Sequence, residues 1–341
     1  MLEPWGADSS TSYEPVADDS ARVLIEARDA LSQGRIADAS AAVDSVRRDE
    51  VADDVRAGLA LIGLLARLAR GDVRGAAPYS RELTNLTRNG GRVAAMAWYG
   101  LAELAAARAQ TDLAISAFER VDEELTAGRD HMWLPWRSGL ARMIAGRGET
   151  ASANALVEKE LAEARSSDSP YAVGYALRTL AAVAPTSDRI SLLEDALHAL
   201  SGLGKGLGAA RLEAQVRTDL AGWLMLLKPD QKSRSIELLR SAEAYARSED
   251  LGPLLSRVRW LLERLGEHAD GELPGRLAEL SAAERRVAQL VVVGKRNREI
   301  AEELGVSVKS VEWHVSHILR KLSISSRGEL ADALAQPRQQ R

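Results

Sequence analysis

Helical hairpins recur at a nearly constant spacing through most of this 341-residue sequence. Each unit is about 38 residues long and consists of two amphipathic helical stretches separated by a short turn. The turns fall at Gly34, Gly71, Gln110, Gly148, Pro185 and Pro229. Repeats of this size stack so that each helix pair covers the apolar face of its neighbour. The spacing therefore predicts an all-α, tetratricopeptide-like helical-hairpin solenoid over residues 21–265, with an extended concave face.

The composition agrees with this prediction and excludes several other classes of protein. Aromatic residues make up only 4% of the chain, whereas Ala, Leu, Arg and Glu, which favour helices, are abundant. Because the chain has no cysteine, disulfides, thiolate zinc sites and cysteine nucleophiles are excluded. No run of about 18 apolar residues occurs, so we expect no membrane span. The N-terminus lacks the pattern of a signal peptide, and a cytoplasmic location is therefore expected.

The segments that flank the repeats differ from them in composition and charge. Residues 1–20 are acidic and rich in Ser, Pro and Asp, which predicts a flexible tail. Residues 266–276 are rich in glycine and predict a linker, followed by a small unit at 277–335 and a short tail at 336–341. Residues 279–341 carry 11 basic and 8 acidic groups, whereas the rest of the chain has a net charge of −7. A basic end on an acidic body is consistent with nucleic-acid binding at that end.

Four short helices are predicted within residues 277–335. Residues of the kind that cap helices stand at the four predicted starts: Ser281, Asn297, Ser307 and Ser326. Gly294 and Gly305 follow the first and second helices, where a left-handed residue commonly ends a helix. The second helix, the tight turn and the third helix together have the spacing of a helix-turn-helix motif. We therefore expect a small four-helix domain after the solenoid.

One set of residues in this small unit carries a resemblance to a known family. The set consists of Leu280, Glu284, Gly294, Asn297, Glu299, Ile300, Ala301, Leu304, Ser307, Val311, His314, Val315, Ile318, Lys321, Leu322, Arg327 and Leu330. With these residues the unit resembles the C-terminal DNA-binding domain of LuxR-family transcriptional regulators. The pattern departs from the family at Ala283 and Arg296, and neither departure threatens the fold.

Two strings within the unit resemble the large ATP-binding members of that family most closely. They are residues 310–315 (SVEWHV) and the segment from Arg320 to Arg327. Those members also place a helical-repeat region before the DNA-binding domain. The present sequence has no G-x-x-x-x-G-K-[ST] motif, so ATP-driven switching is not carried over from the resemblance.

The resemblance implies that the third helix enters the major groove of double-stranded DNA, where base edges carry the sequence code. The expected base contacts lie on the outer stripe of this helix, at Lys309, Glu312, Trp313 and Ser316. Lys309 suits a guanine edge or a phosphate, Glu312 a cytosine amino group, and Trp313 a thymine methyl group. The expected phosphate contacts are Lys295, Arg296, Asn297, Arg298, Ser310, Arg320 and Lys321.

The resemblance also implies partners. A single small domain buries little surface on DNA, and dimers on two-fold sites overcome this weakness. The family dimerises through the fourth helix, here at Leu330, Ala331 and Leu334. RNA polymerase is a further partner that fits a transcriptional regulator. The repeats are expected to sense an effector, either a protein or a small molecule.

Other functional classes are weighed against this interpretation. Residues 202–208 are rich in glycine, but a helix rather than a strand precedes them, so they predict a turn and not a dinucleotide site. His314 and His317 have no third ligand nearby. We therefore predict no enzymatic activity, no cofactor and no metal. One alternative is an interaction scaffold whose helix-turn-helix contacts protein rather than DNA. Another alternative is that the protein descends from a longer ATP-binding regulator and acts as an unregulated or competing version of that regulator.

Overall fold

The computed structural model describes residues 19–128, 134–167, 169–203, 208–267, 280, 282–292, 294–304, 306–322, 324 and 326–330. Contacts along the chain divide it into two compact units, residues 1–265 and 266–341. Several predicted features lie outside the described residues: tail residues 1–18, most of the predicted linker, Ser281, Gly305, Ala331, Leu334 and the tail at 336–341.

Every regular element within the described residues is helical, which confirms the all-α prediction. The repeat unit contains α1 (Asp19–Gln33), α2 (Ile36–Asp44), α3 (Asp53–Arg70), α4 (Ala77–Leu86), α5 (Gly91–Ala107), α6 (Thr111–Gly128), α7 (Trp136–Ala145), α8 (Thr150–Ser166), α9 (Pro170–Val183), α10 (Arg189–Ser201), α11 (Ala210–Leu227), α12 (Lys232–Ser248) and α13 (Gly252–Arg264). The C-terminal unit contains α14 (Ala282–Val292), α15 (Asn297–Leu304) and α16 (Val308–Lys321). In the described part of the chain, no helix has the length and apolarity needed to cross a membrane.

Tight turns fold successive helices of the repeat unit into antiparallel hairpins. The turn after α3 shows how this is achieved, because Gly71 adopts a left-handed conformation with φ +80°. The N–H of Asp72 then donates to the carbonyl of Arg67 at 2.9 Å. This arrangement satisfies carbonyls that the end of a helix leaves free, and it reverses the chain sharply. The tetratricopeptide-like hairpin array predicted from the repeat spacing is confirmed.

One continuous apolar core runs through the repeat unit, from α1 to the residue that precedes α13. Alanine and leucine dominate it, and Phe118 is the largest side chain that is fully buried. A second cluster joins α11, α12 and α13 around Leu239 and Val258. Small side chains let the helices approach closely, so a chain with few aromatic residues still fills its interior.

The two ends of the repeat array contact each other. The hydroxyl of Tyr245 in α12 donates to the carbonyl of Gly34 at 2.6 Å. The carboxylate of Glu249 accepts from the N–H of Ala37 at 3.0 Å, one of the amides that the first turn of α2 leaves free. The backbone carbonyl of Glu249 also accepts from Nε of Arg70 at 3.4 Å.

This closure adds to the predicted architecture. The repeat spacing predicts a solenoid with an extended concave face, and in the structure the first and last hairpins of that solenoid meet. Glycine at position 34 permits this approach, because a Cβ there would lie 2.6 Å from the backbone N of Arg211 and 2.7 Å from Oη of Tyr245. Gly34 therefore serves both as the turn residue of the first hairpin and as a point of close approach to the far end.

The C-terminal unit is built around a small core of its own. The second and third helices, α15 and α16, cross α14 and enclose ten buried side chains. These are Leu280, Val287, Ala288, Val291, Ile300, Ala301, Val311, Ile318, Leu322 and Leu330. The order of helix, tight turn and helix over α15 and α16 is that of a helix-turn-helix motif.

Candidate nucleic-acid interface

The start of α16 is fixed by a side-chain cap. Ser307 adopts extended backbone angles, and its Oγ accepts from the N–H of Ser310 at 3.1 Å. This cap satisfies one of the free amides of the first turn. Ser310, a predicted phosphate contact, is half-buried and its N–H is already engaged within the domain.

The two faces of α16 differ sharply in exposure. Val311 and Ile318 are buried against the domain core, which orients the helix. The opposite stripe is exposed and contains Lys309, Glu312, Trp313, Ser316 and Arg320. All four predicted base-contacting residues therefore lie on one accessible face of one helix. Trp313 is 55% exposed, although a large apolar ring gains nothing for folding from such a position.

Aromatic and basic groups cluster around Trp313. Its ring stacks on His317 with centroids 4.0 Å apart, and His314 meets it edge-on at 5.0 Å. Nη2 of Arg320 lies 2.9 Å from Nε2 of His317. The exposed ring of Trp313 therefore lies among imidazole and guanidinium groups of its own helix.

The start of α15 corrects one prediction. Asn297 is expected to cap this helix and to contact phosphate, but it is the first helical residue. Glu299 takes the capping role, because its carboxylate accepts from the N–H of Arg296 at 2.6 Å. The side-chain oxygen of Asn297 instead accepts from Nη1 of Arg327 at 2.6 Å. Arg327 also donates to the backbone carbonyl of Lys295, so it ties the chain after α16 to the start of α15.

Three of the predicted phosphate contacts form ion pairs inside the domain. Lys295 pairs with Glu303, and Arg298 pairs with Glu302 at 3.4 Å. The third is Lys321, whose Nζ donates to the carboxylate of Glu284 at 2.7 Å.

The remaining basic side chains at this surface have different surroundings. Lys309 and Arg296 are exposed, and within the described part of the chain neither side chain has an ion-pair partner. They can therefore meet a phosphate or a base edge without breaking an existing contact. Lys321 differs from them, because Glu284 is buried in the core and loses a charged partner if Lys321 turns towards DNA.

Of the three predicted dimerisation residues, the structure describes Leu330. Leu330 is 1% exposed and belongs to the core of its own domain, so its side chain offers no area to a second copy in this arrangement. Ala331 and Leu334 lie outside the described residues.

Two features of this surface escape sequence reasoning. The pairing of Lys321 with Glu284 joins the end of α16 to α14. The hydrogen bond from Arg327 to Asn297 joins the segment after α16 to the start of α15. The two partners in each contact are at least 30 positions apart in the sequence. The sequence offers one signal for the first contact, which is the position of Glu284 within the apolar pattern of α14. A buried carboxylate requires a charged or hydrogen-bonding partner.

Comparison with known proteins identifies this domain. Residues 278–334 match the family model of bacterial regulatory proteins of the luxR family. The transcriptional regulatory protein LiaR of Bacillus subtilis is 35% identical over 109 residues, which cover 31% of this chain and 47% of that protein. The oxygen regulatory protein NreC of Staphylococcus carnosus is 47% identical over 53 residues, 16% of this chain and 24% of that protein. The chain thus spans less than half the length of these relatives.

A solved structure resembles the chain as a whole at a lower level. A Rap protein crystallised in complex with Competence and Sporulation Factor aligns with a TM-score of 0.48 and 13% identity, covering 92% of this chain and 99% of that one. The family match, by contrast, covers residues 278–334, the part of the chain that carries α14–α16. The C-terminal unit is a helix-turn-helix DNA-binding domain of the luxR family of bacterial regulatory proteins.

Proposed function

We propose that this protein is a sequence-specific, DNA-binding regulator of transcription whose repeat unit senses a protein or small-molecule signal. One observation carries the DNA-binding part of this proposal. The exposed stripe of α16 presents Lys309, Glu312, Trp313 and Ser316 together, while the opposite face anchors the helix in the core. A helix of this kind fits the major groove, where these side-chain types match base edges and thymine methyl groups.

Phosphate contacts surround this stripe in the proposal. Arg296 and Lys309 are ready to bind phosphates, and Lys295 and Arg298 exchange exposed carboxylate partners for them. Exposed ion pairs are worth only about 0–1 kcal/mol, so DNA can displace them readily. The N–H groups at the start of α15 add the positive end of a helix dipole.

The proposal also includes dimerisation, contact with RNA polymerase, a relation to larger regulators and signal sensing. Binding as a homodimer follows from the two-fold sites that such domains prefer, with Ala331 and Leu334 as the candidate contacts and Leu330 as a supporting core residue. Contact with RNA polymerase and a relation to the large ATP-binding LuxR regulators are proposed on family resemblance and on the strings at 310–315 and 320–327. The closed repeat array, with residues from six helices around one cavity, supports the sensing role.

Selection of random DNA duplexes by the purified full-length protein, followed by sequencing, tests this function. We expect enrichment of a motif with two-fold symmetry. On the enriched duplex, Lys309→Ala and Trp313→Ala are each expected to weaken binding by roughly 10- to 100-fold, because a good base contact is worth about 1–3 kcal/mol. Arg92→Ala is the matched control, since Arg92 is an exposed arginine of the repeat unit.

Salt dependence separates this function from the scaffold alternative. Neutralised phosphates make affinity for DNA fall steeply as salt rises. No enriched motif, or binding that is insensitive to salt and to both α16 substitutions, contradicts sequence-specific binding and favours a protein partner on the exposed ring of Trp313.

A further inference from the structure

A cavity of about 120 Å³ is lined by six of the odd-numbered helices of the repeat unit. Each of α1, α3, α5, α7, α9 and α11 contributes to its wall, and the closure of the array brings the first and last of them together. Representative lining residues, in helix order, are Leu31, Leu65, Tyr99, Arg142, Tyr175 and Arg211. The concave side therefore converges on one small internal site.

The acidic groups at this cavity already have basic partners. Glu103 pairs with Arg142 at 2.9 Å. Asp219, beside the cavity, pairs with both Arg178 and Arg257 at 2.7 Å. Arg178 also donates from Nη1 to Oε1 of Gln215 at 3.2 Å. The carboxylates and the amide oxygen that face this region are thus occupied.

Arg211 is different from the other arginines of the wall. It is half-buried, and within the described residues its guanidinium has no ion-pair or hydrogen-bond partner. The amide nitrogen of Gln215, one turn further along α11, is likewise a donor without a partner in that part of the chain. A partly buried arginine without a partner is costly, because its charge loses solvation and gains no ion pair.

Three tyrosines, Tyr99, Tyr171 and Tyr175, add neutral aromatic rings to the wall of the cavity. Burial raises the pKa of Tyr171 to about 12, although the nearby Arg211 opposes this rise. Burial also raises the pKa of Tyr99 and that of Tyr175. The phenols of these tyrosines therefore stay neutral at physiological pH. Their rings supply flat apolar area beside the unpaired charge.

We propose that this cavity binds a small aromatic carboxylate, which Arg211 holds through its carboxylate and the tyrosine rings contact through its ring. An arginine fork matches a carboxylate with two parallel hydrogen bonds. The volume of about 120 Å³ is somewhat smaller than that of a cavity of about 150 Å³ that binds benzene, so the site has room for no more than one ring. The inference deepens the sensing role proposed above and rests on it for its meaning in the cell.

Benzoate is the test ligand, measured by isothermal titration with full-length protein in the absence of DNA. We expect saturable one-site binding, and at least tenfold weaker binding of neutral benzamide. Arg211→Gln is expected to abolish the preference for benzoate, and Tyr171→Leu, which removes an aromatic ring, to weaken benzoate binding severalfold. Arg92→Gln, which removes an exposed arginine at the start of α5, is the matched control and should bind like the unaltered protein. Circular dichroism establishes that each variant is folded.

The outcomes separate this inference from the proposed function. Equal affinity for benzoate and benzamide, unchanged binding in Arg211→Gln, or no saturable benzoate binding at millimolar concentration overturns it. If Arg211→Gln does not fold, the benzoate-to-benzamide ratio and the affinity of Tyr171→Leu for benzoate still test the inference. A failed DNA selection with intact benzoate binding contradicts only the DNA-binding function, whereas an enriched operator without benzoate binding contradicts only the ligand site.

Discussion

The repeat unit and the C-terminal unit solve the problem of stability in different ways. The repeat unit has a core that runs without interruption across successive hairpins, so each helix is supported by neighbours on both sides. The C-terminal unit encloses ten buried apolar side chains among the residues described. The stability of a small domain depends on few residues. The free energy that it gains by burying apolar area only slightly exceeds the entropic cost of ordering its chain.

Charged groups also serve the two units differently. In the repeat unit, the buried carboxylate of Glu243 forms ion pairs with Arg240, Arg247 and Arg259. In the C-terminal unit, Glu284 forms an ion pair with Lys321, which lies at the edge of the surface proposed to face DNA. A charge near the DNA-binding face of a small domain can therefore be a structural residue, even though its type and position suggest a phosphate contact.

The largest expected effect tests the difference between the cores. Ile318→Ala and Leu193→Ala each remove a side chain that is 1% exposed, at a cost of about 2–5 kcal/mol. That cost equals most of the roughly 3–5 kcal/mol available to a domain of this size. We expect Ile318→Ala to leave the amides of α14–α16 unprotected in hydrogen-exchange mass spectrometry, with the repeat unit intact. Leu193→Ala should leave α14–α16 protected; equal protection of α14–α16 in both variants would contradict the contrast.

Closure of the repeat array can be broken at one glycine. Gly34 and Gly148 both have positive φ, +84° and +89°, but only at Gly34 would an alanine Cβ meet other atoms within 4 Å. Each alanine substitution costs about 1–2 kcal/mol for the left-handed backbone. Gly34→Ala adds about 1–3 kcal/mol for the clash with α11 and α12. Urea denaturation measures the difference, and equal losses in the two variants would show that the ends do not hold each other.

Two basic residues of the C-terminal unit sharpen the distinction between structural and DNA-facing charges. Lys321→Gln removes a partner of buried Glu284 and is expected to cost about 1–3 kcal/mol of stability. Arg298→Gln removes only an exposed pair with Glu302, so its stability should change by less than about 1 kcal/mol. The DNA affinity of Arg298→Gln should fall, with a salt slope smaller by about 1. Thermal unfolding and binding at several salt concentrations check both, and a reversed ranking refutes the assignment.

The smallest expected effect concerns a buried carboxylate of the repeat unit. Burial raises the pKa of Glu160, against the lowering effect of its hydrogen bonds from Ser138. The folded protein therefore binds this proton more tightly than the unfolded chain does. Its contribution to stability is fully present below the ordinary pKa of glutamate and is lost as the pH rises through the raised value.

Glu160→Gln removes this titration and retains an oxygen that accepts from Ser138. We expect the free energy of unfolding of the unaltered protein to fall relative to that of the variant as the pH rises above the ordinary pKa of glutamate. Urea denaturation at a series of pH values measures the difference. A gap that is constant with pH would contradict the raised pKa.

Much of the helix-turn-helix surface is predictable because it depends on local order. Val311 and Ile318 recur at helical spacing, so the sequence alone places Lys309, Glu312 and Trp313 on the opposite face. The capping role of Ser307 is local for the same reason. The prediction that Asn297 caps α15 is wrong because Glu299 accepts from the N–H of Arg296, and the distant Arg327 donates to the side-chain oxygen of Asn297.

The all-α class, the hairpin repeats and the helix-turn-helix domain are predictable from the sequence, since they follow from periodicity, caps and turns within about 40 residues of one another. Closure of the repeat array is known from the three-dimensional arrangement alone, because a glycine at position 34 and a tyrosine at position 245 carry no local sign of their contact. The cavity and the unpaired Arg211 depend on that closure. Repeat patterns fix how each hairpin meets the next, whereas small rotations accumulated over many hairpins decide whether the ends meet.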